Sequence, residues 1–68
     1  MPYKTNTELP DRVKDHLPQH AQDIFREAFN HALDEYDNDE ARASRVAWSA
    51  VETRYEKGEN GQWRLKHR

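Results

Sequence analysis

Ala21-Gln22-Asp23-Ile24-Phe25-Arg26-Glu27-Ala28-Phe29-Asn30-His31-Ala32-Leu33-Asp34-Glu35-Tyr36 is the stretch whose reading decides the fold. Its apolar residues are Ala21, Ile24, Phe25, Ala28, Phe29, Ala32, Leu33 and Tyr36, so the steps alternate between three and one. That spacing lays a single stripe along an α-helix and fits no strand period. Pro18 suits the first turn, where its missing N–H leaves no bond unmade. The pattern predicts a helix from about Pro18 to Tyr36.

A second stripe follows in Ala43, Val46, Ala47, Ala50, Val51 and Tyr55, with Trp48 at its edge. Asp37, Asn38 and Asp39 offer N-cap oxygens and negative charge at its start. Asp37 and Glu40 have the spacing of a capping box. Lys57 and then Gly58, able to adopt the αL conformation, suit its end. A helix is predicted from about Asp39 to Lys57. The connection at 36–39 is short, which makes the two long helices antiparallel. Alanines at 28, 32, 43, 47 and 50 allow their axes to approach closely.

Upstream, Leu9, Val13 and Leu17 recur every fourth residue and predict a short helix over 9–17, with Pro10 in its first turn and Pro18 forcing its end, that caps one end of the pair. Downstream, Asn60-Gly61 is a turn signal, and Trp63-Arg64-Leu65-Lys66 alternates as a strand does. Pro2-Tyr3-Lys4 is the other strand candidate. The two termini could therefore form a minor two-stranded β-bridge; the alternative is that both ends fray. The fold class is all-α, mainly helical: a short helix plus two long antiparallel helices in one domain, 1–68. The expected core is Leu9, Val13, Leu17, Ile24, Phe25, Phe29, Leu33, Val46, Ala47, Ala50, Val51 and Tyr55. Trp48 and Trp63 should cover its rim rather than serve as stacking platforms; exposure of both would mark a binding patch.

Composition limits what such a chain can do. It has 68 residues, of which 34% are hydrophobic and 35% charged, and a mean hydropathy of -1.36. A chain of this length buries only about 60% of its unfolded surface, so its core is one layer deep. Cysteine is absent, which removes disulfides and thiolate metal sites. No apolar run approaches the ~18–20 residues that span a bilayer, and Met1-Pro2-Tyr3-Lys4-Thr5 lacks the apolar stretch of a signal peptide. A cytoplasmic monomer without direct membrane insertion is expected.

Chemistry-bearing motifs are few. The two glycines, Gly58 and Gly61, are not followed by the Lys-Ser or Lys-Thr of a phosphate loop. Ser44 and Ser49 lack an elbow motif. Solvated carboxylates and histidines on so small a domain lack the buried settings that acid–base catalysis uses. The expectation is a non-enzymatic protein with no catalytic residues and no cofactor. His16 and His20 have a chelating spacing, but Pro18 between them breaks the helix that would align them. Asp34, Asp37, Asp39 and Glu40 lie in an acidic turn that could attract a hard cation weakly. The turn lacks the glycine and terminal glutamate of a calcium loop, and acidic stabilisation of the following helix is the better account of it.

Charge is unevenly divided. Residues 1–40 hold four basic side chains and ten acids, a balance of -6; residues 41–68 hold seven basic side chains and three acids, a balance of +4. Two mutually attracting helices would explain the split, as would two surfaces with separate partners. Arg42, Arg45, Arg54, Lys57, Arg64, Lys66 and Arg68 form a candidate basic face able to contact phosphates, although the net charge of -2 opposes nucleic-acid binding.

Several segments together resemble the ChaB family: Met1-Pro2-Tyr3-Lys4-Thr5, Leu9-Pro10, Val13, Leu17-Pro18, His20-Ala21-Gln22-Asp23-Ile24-Phe25 and Glu27-Ala28-Phe29-Asn30, then Val46-Ala47-Trp48-Ser49-Ala50-Val51, Tyr55-Glu56-Lys57-Gly58 and Trp63. The resemblance spans essentially the whole chain. It implies a helical fold with a minor β element and a regulator of cation transport, acting by protein contact on a calcium (sodium)/proton antiporter. A nucleic-acid accessory role through the basic half is the alternative, because some family members are fused to a module resembling part of a transcription terminator. The resemblance carries over no catalytic residues. The link between the long helices is shorter here than in the longer members, which carry extra charged residues there.

Overall fold

A computed structural model describes residues 2–66. A short 3-10 turn (Asn6–Glu8) leads into α1 (Asp11–Lys14), α2 (Gln19–Glu35) and α3 (Glu40–Arg54). Strands β1 (Tyr55–Lys57) and β2 (Trp63–Leu65) then pair antiparallel, in the register Tyr55↔Leu65, Glu56↔Arg64, Lys57↔Trp63. Three pairings show that α2 and α3 run antiparallel. Arg42 near the start of α3 sits over the ring of Tyr36, at the end of α2. Trp48 meets Phe25 edge-on at 5.1 Å. Tyr55, just past α3, lies 6.3 Å from His20 at the start of α2.

The helix ends follow from local chemistry. Pro18 is the N-cap of α2. At the other end the N–H of Asn38 donates to the carbonyl of Leu33 at 2.7 Å, while Asp37 and Asn38 both take positive φ, 60° and 65°. This is a Schellman closure built on two non-glycine residues in the left-handed region. It corrects the expected capping box at Asp37: the N-cap of α3 is Asp39, whose Oδ1 accepts from the N–H of Arg42 at 3.2 Å. α3 stops at Arg54, three residues before Lys57, because Tyr55 turns extended (φ -122°, ψ 156°) and enters the hairpin. Gly58 does not close the helix; among the described residues the only positive-φ glycine is Gly61, at 85°.

The strand expected at Trp63 is present, but its partner is β1 and not Pro2-Tyr3-Lys4. The N-terminal segment finds a side chain instead of a strand. Asn30 Oδ1 accepts from the Tyr3 N–H and Asn30 Nδ2 donates to the Tyr3 carbonyl. Further along the strap, Asn6 donates to Asp23 and accepts from Arg26, and Gln22 donates to the Leu17 carbonyl. The polar face of α2 thus supplies the partners that the irregular backbone ahead of it lacks.

The core comprises Leu9, Val13, Leu17, Ala21, Phe25, Phe29, Ala32, Leu33, Ala43, Ala47, Val51 and Tyr55. Three expected members lie off it: Ile24 and Ala50 are half-buried, and Val46 is 36% exposed. Ala21, Ala32 and Ala43 are buried in addition. The stripes are wider than the interface, so one flank of each leaves it. On α3 the contest is between Val46 on one flank and Trp48 on the other. The indole carries far more apolar surface, and it turns the helix towards Phe25.

Candidate functional site

The hairpin folds back on the turn that follows α1. The N–H of Trp63 donates to the His16 carbonyl at 3.1 Å, and Gln62 Nε2 donates to the Asp15 carbonyl at 3.3 Å. This docking sets Trp63 beside Trp48, with ring centroids 5.5 Å apart and planes tilted by 33°. The two indoles, both half-buried, floor an open cleft of about 490 Å3. Its rim carries Arg12 and His16 from the α1 region, Glu52 from α3 and Lys57 from β1. Lys57 reaches it through the strand register, which sets it opposite Trp63. Among the described residues, no carboxylate lies within ion-pairing distance of Arg12 or Lys57.

The seven basic residues grouped by sequence fall on separate surfaces. Arg42 is stacked on Tyr36, 4.8 Å from the ring centroid, and Arg45 is exposed on the same outer flank of α3. Arg54 is twelve residues beyond Arg42, about 18 Å along the helix axis. There it meets the hairpin: the Lys66 N–H donates to its carbonyl at 3.0 Å. Arg64 lies on the face of the hairpin opposite to Trp63, 3.5 Å from Glu56. Lys57 belongs to the tryptophan cleft. Arg68 lies outside the described residues.

The acidic candidates all lie around the α2–α3 connection and are exposed. Asp39 is committed to capping α3, Glu40 begins that helix, Asp34 is in the last turn of α2, and Asp37 holds the αL position. Among the described residues, no group of three or more histidine and carboxylate side chains is placed to hold a metal. His31 sits 3.9 Å from Glu35 on the exposed face of α2.

Sequence reasoning did not place Arg12, His16 and Glu52 in this cleft. Arg12 and His16 precede the long helices, and the long-range docking of the hairpin on the turn after α1 brings them to Trp48. Glu52 was the one local clue, one helical turn after Trp48 on the same flank of α3.

Comparison with known proteins adds the family context. The ChaB family model matches residues 9–66. A relative from Escherichia coli (strain K12), named "Putative cation transport regulator ChaB", is 48% identical over 75 residues, covering 97% of this chain and 99% of that protein. The protein of the same name from Shigella flexneri gives the same figures. The alignment is longer than this chain, so the relatives hold residues at positions where this chain has none. The "NMR solution structure of the putative cation transport regulator ChaB" superposes with a TM-score of 0.87 at 47% identity, covering 97% of this chain and all of that one.

Proposed function

The chain belongs to the ChaB family, and from that premise we propose that it is a small non-enzymatic regulator of cation transport. It is a cytoplasmic protein that acts by protein–protein contact on a calcium (sodium)/proton antiporter. One observation carries this reading: near-full-length identity of 48% to relatives named as cation transport regulators. Two others support it. No helix among the described residues is long and apolar enough to cross a membrane, which fits a protein that works on a transporter by contact. The surface also offers an open, aromatic-floored cleft with uncompensated cations, a shape suited to recognition.

The test is a cross-linked pull-down of the tagged chain from its own cells, with and without nuclease, read by mass spectrometry. Recovery of an antiporter that survives nuclease is the expected result. Recovery only of nuclease-sensitive nucleic-acid proteins would replace the regulator reading with the accessory role.

A further inference from the structure

We infer that the cleft between Trp48 and Trp63 is a docking site for an acidic peptide segment of a partner protein, one that places an apolar side chain on the indoles and its carboxylates against Arg12 and Lys57. The inference rests on the regulator reading and deepens it by naming the surface and the partner's chemistry.

Four observations converge. First, the cleft volume of about 490 Å3 lies in the range of ligand-binding clefts, and it is sized for a few side chains. Second, the cleft is lined by the two indoles and by Arg12, His16 and Lys57, with Glu52 the carboxylate among its lining residues. Neither Arg12 nor Lys57 is neutralised by a neighbouring carboxylate among the described residues, in a chain whose net charge is -2. An acidic partner complements that rim.

Third, the indoles are poorly presented for base stacking. Trp48 packs against the Phe25 ring at 5.1 Å and the Trp63 ring at 5.5 Å, so a base inserted between the indoles would have to part their contact. A nucleobase needs an open ring face on which to stack, whereas an aliphatic or phenyl side chain can settle in the cleft over the pair as it stands. Fourth, the N–H of Trp63 is already donated to His16. An incoming strand therefore lacks a continuous edge along β2, and recognition falls to side chains.

The experiment uses a property of this chain. Trp48 and Trp63 are its only tryptophans, so all indole emission reports on the cleft. The full chain is titrated with a tryptophan-free synthetic peptide in which aspartates and glutamates flank a leucine–phenylalanine pair. The same peptide with asparagine and glutamine for the acids, and a single-stranded oligothymidylate, are run alongside. A saturable emission change with the acidic peptide alone is expected, and Arg12→Glu and Lys57→Glu should each weaken it about tenfold. Melting curves verify that both variants fold. An equal response to the amide peptide, a response to the oligonucleotide only, or no saturable response would each overturn the inference. The pull-down separates the two readings. An antiporter retained equally by Lys57→Glu removes the cleft and leaves the regulator standing. Peptide binding by a chain that captures no antiporter removes the regulator and leaves the cleft.

Discussion

The carboxamide of Asn30 closes on both backbone polar groups of Tyr3, accepting from its N–H at 2.8 Å and donating to its carbonyl at 2.7 Å. One side chain thereby substitutes for a neighbouring strand and fixes the segment that lays the Tyr3 ring on Phe29, 5.0 Å away. Asn30→Ala should lose both bonds and cost about 1–2 kcal/mol. Asn30→Asp should not restore the clamp, because a carboxylate cannot donate to the carbonyl. Chemical denaturation measures the cost. Unchanged stability in Asn30→Ala would show that the strap contributes nothing.

Phe29 lies between the Tyr3 and Phe25 rings and is 5% exposed. Phe29→Ala should cost about 3–5 kcal/mol. Since a small domain's total stability is of the order of 5 kcal/mol, the variant should be largely unfolded at 25 °C. A melting temperature equal to that of the parent would remove Phe29 from the core.

The long helices were legible because their pattern is local: a stripe at steps of three and four needs no knowledge of the rest of the chain. Stripe width was less informative. Val46 and Trp48 flank the same row on α3, and only the position of Phe25 decides which of them turns inward. The strap is not legible in the sequence, because no local pattern marks Asn30, Asp23 and Arg26 on the polar face of α2 as partners for the chain ahead of α1. The pairing of β2 is hidden for a related reason. Tyr55 continues the helical stripe in sequence, and the turn into β1 is imposed by a hairpin that closes through the 58–62 loop. The basic residues are neighbours in the second half of the sequence, but about 18 Å of helix axis, twelve residues' rise, separates Arg42 from Arg54.

Asp37 occupies the helix-closing position that glycine favours, with φ at 60°. Asp37→Gly relieves left-handed strain of about 1 kcal/mol. It also removes a negative charge ahead of α3, whose interaction with the helix N-terminus is about 0.3 kcal/mol at an exposed site. The strain relief is the larger effect, so a small net stabilisation is expected. Urea denaturation in low salt provides the measurement, and a lowered midpoint would reverse the ordering of the two effects.

Gly58 is required for closeness rather than for backbone rotation. A Cβ there would lie 2.9 Å from the carbonyl oxygen of Gln62, the same oxygen that accepts from the Gly58 N–H at 2.7 Å. The hairpin cannot make room without stretching its own closing bond. Gly58→Ala should cost about 1–2 kcal/mol. The damage should concentrate at the cleft, seen as altered emission from Trp63. Native-like emission and stability together would show that the loop accommodates the methyl group freely.

The bond between Trp63 and His16 also bears on the order in which the molecule assembles. α2 and α3 are joined by a short connection, 36–39, and can begin to dock as neighbours. The hairpin's hold on the α1 turn closes a far longer loop: Asp15 and Gln62 are 47 residues apart, and closure over such a span is slow compared with the pairing of neighbouring helices. On refolding, the Trp48 face therefore stands uncovered until the hairpin docks, and the cleft is the last feature of the molecule to take shape.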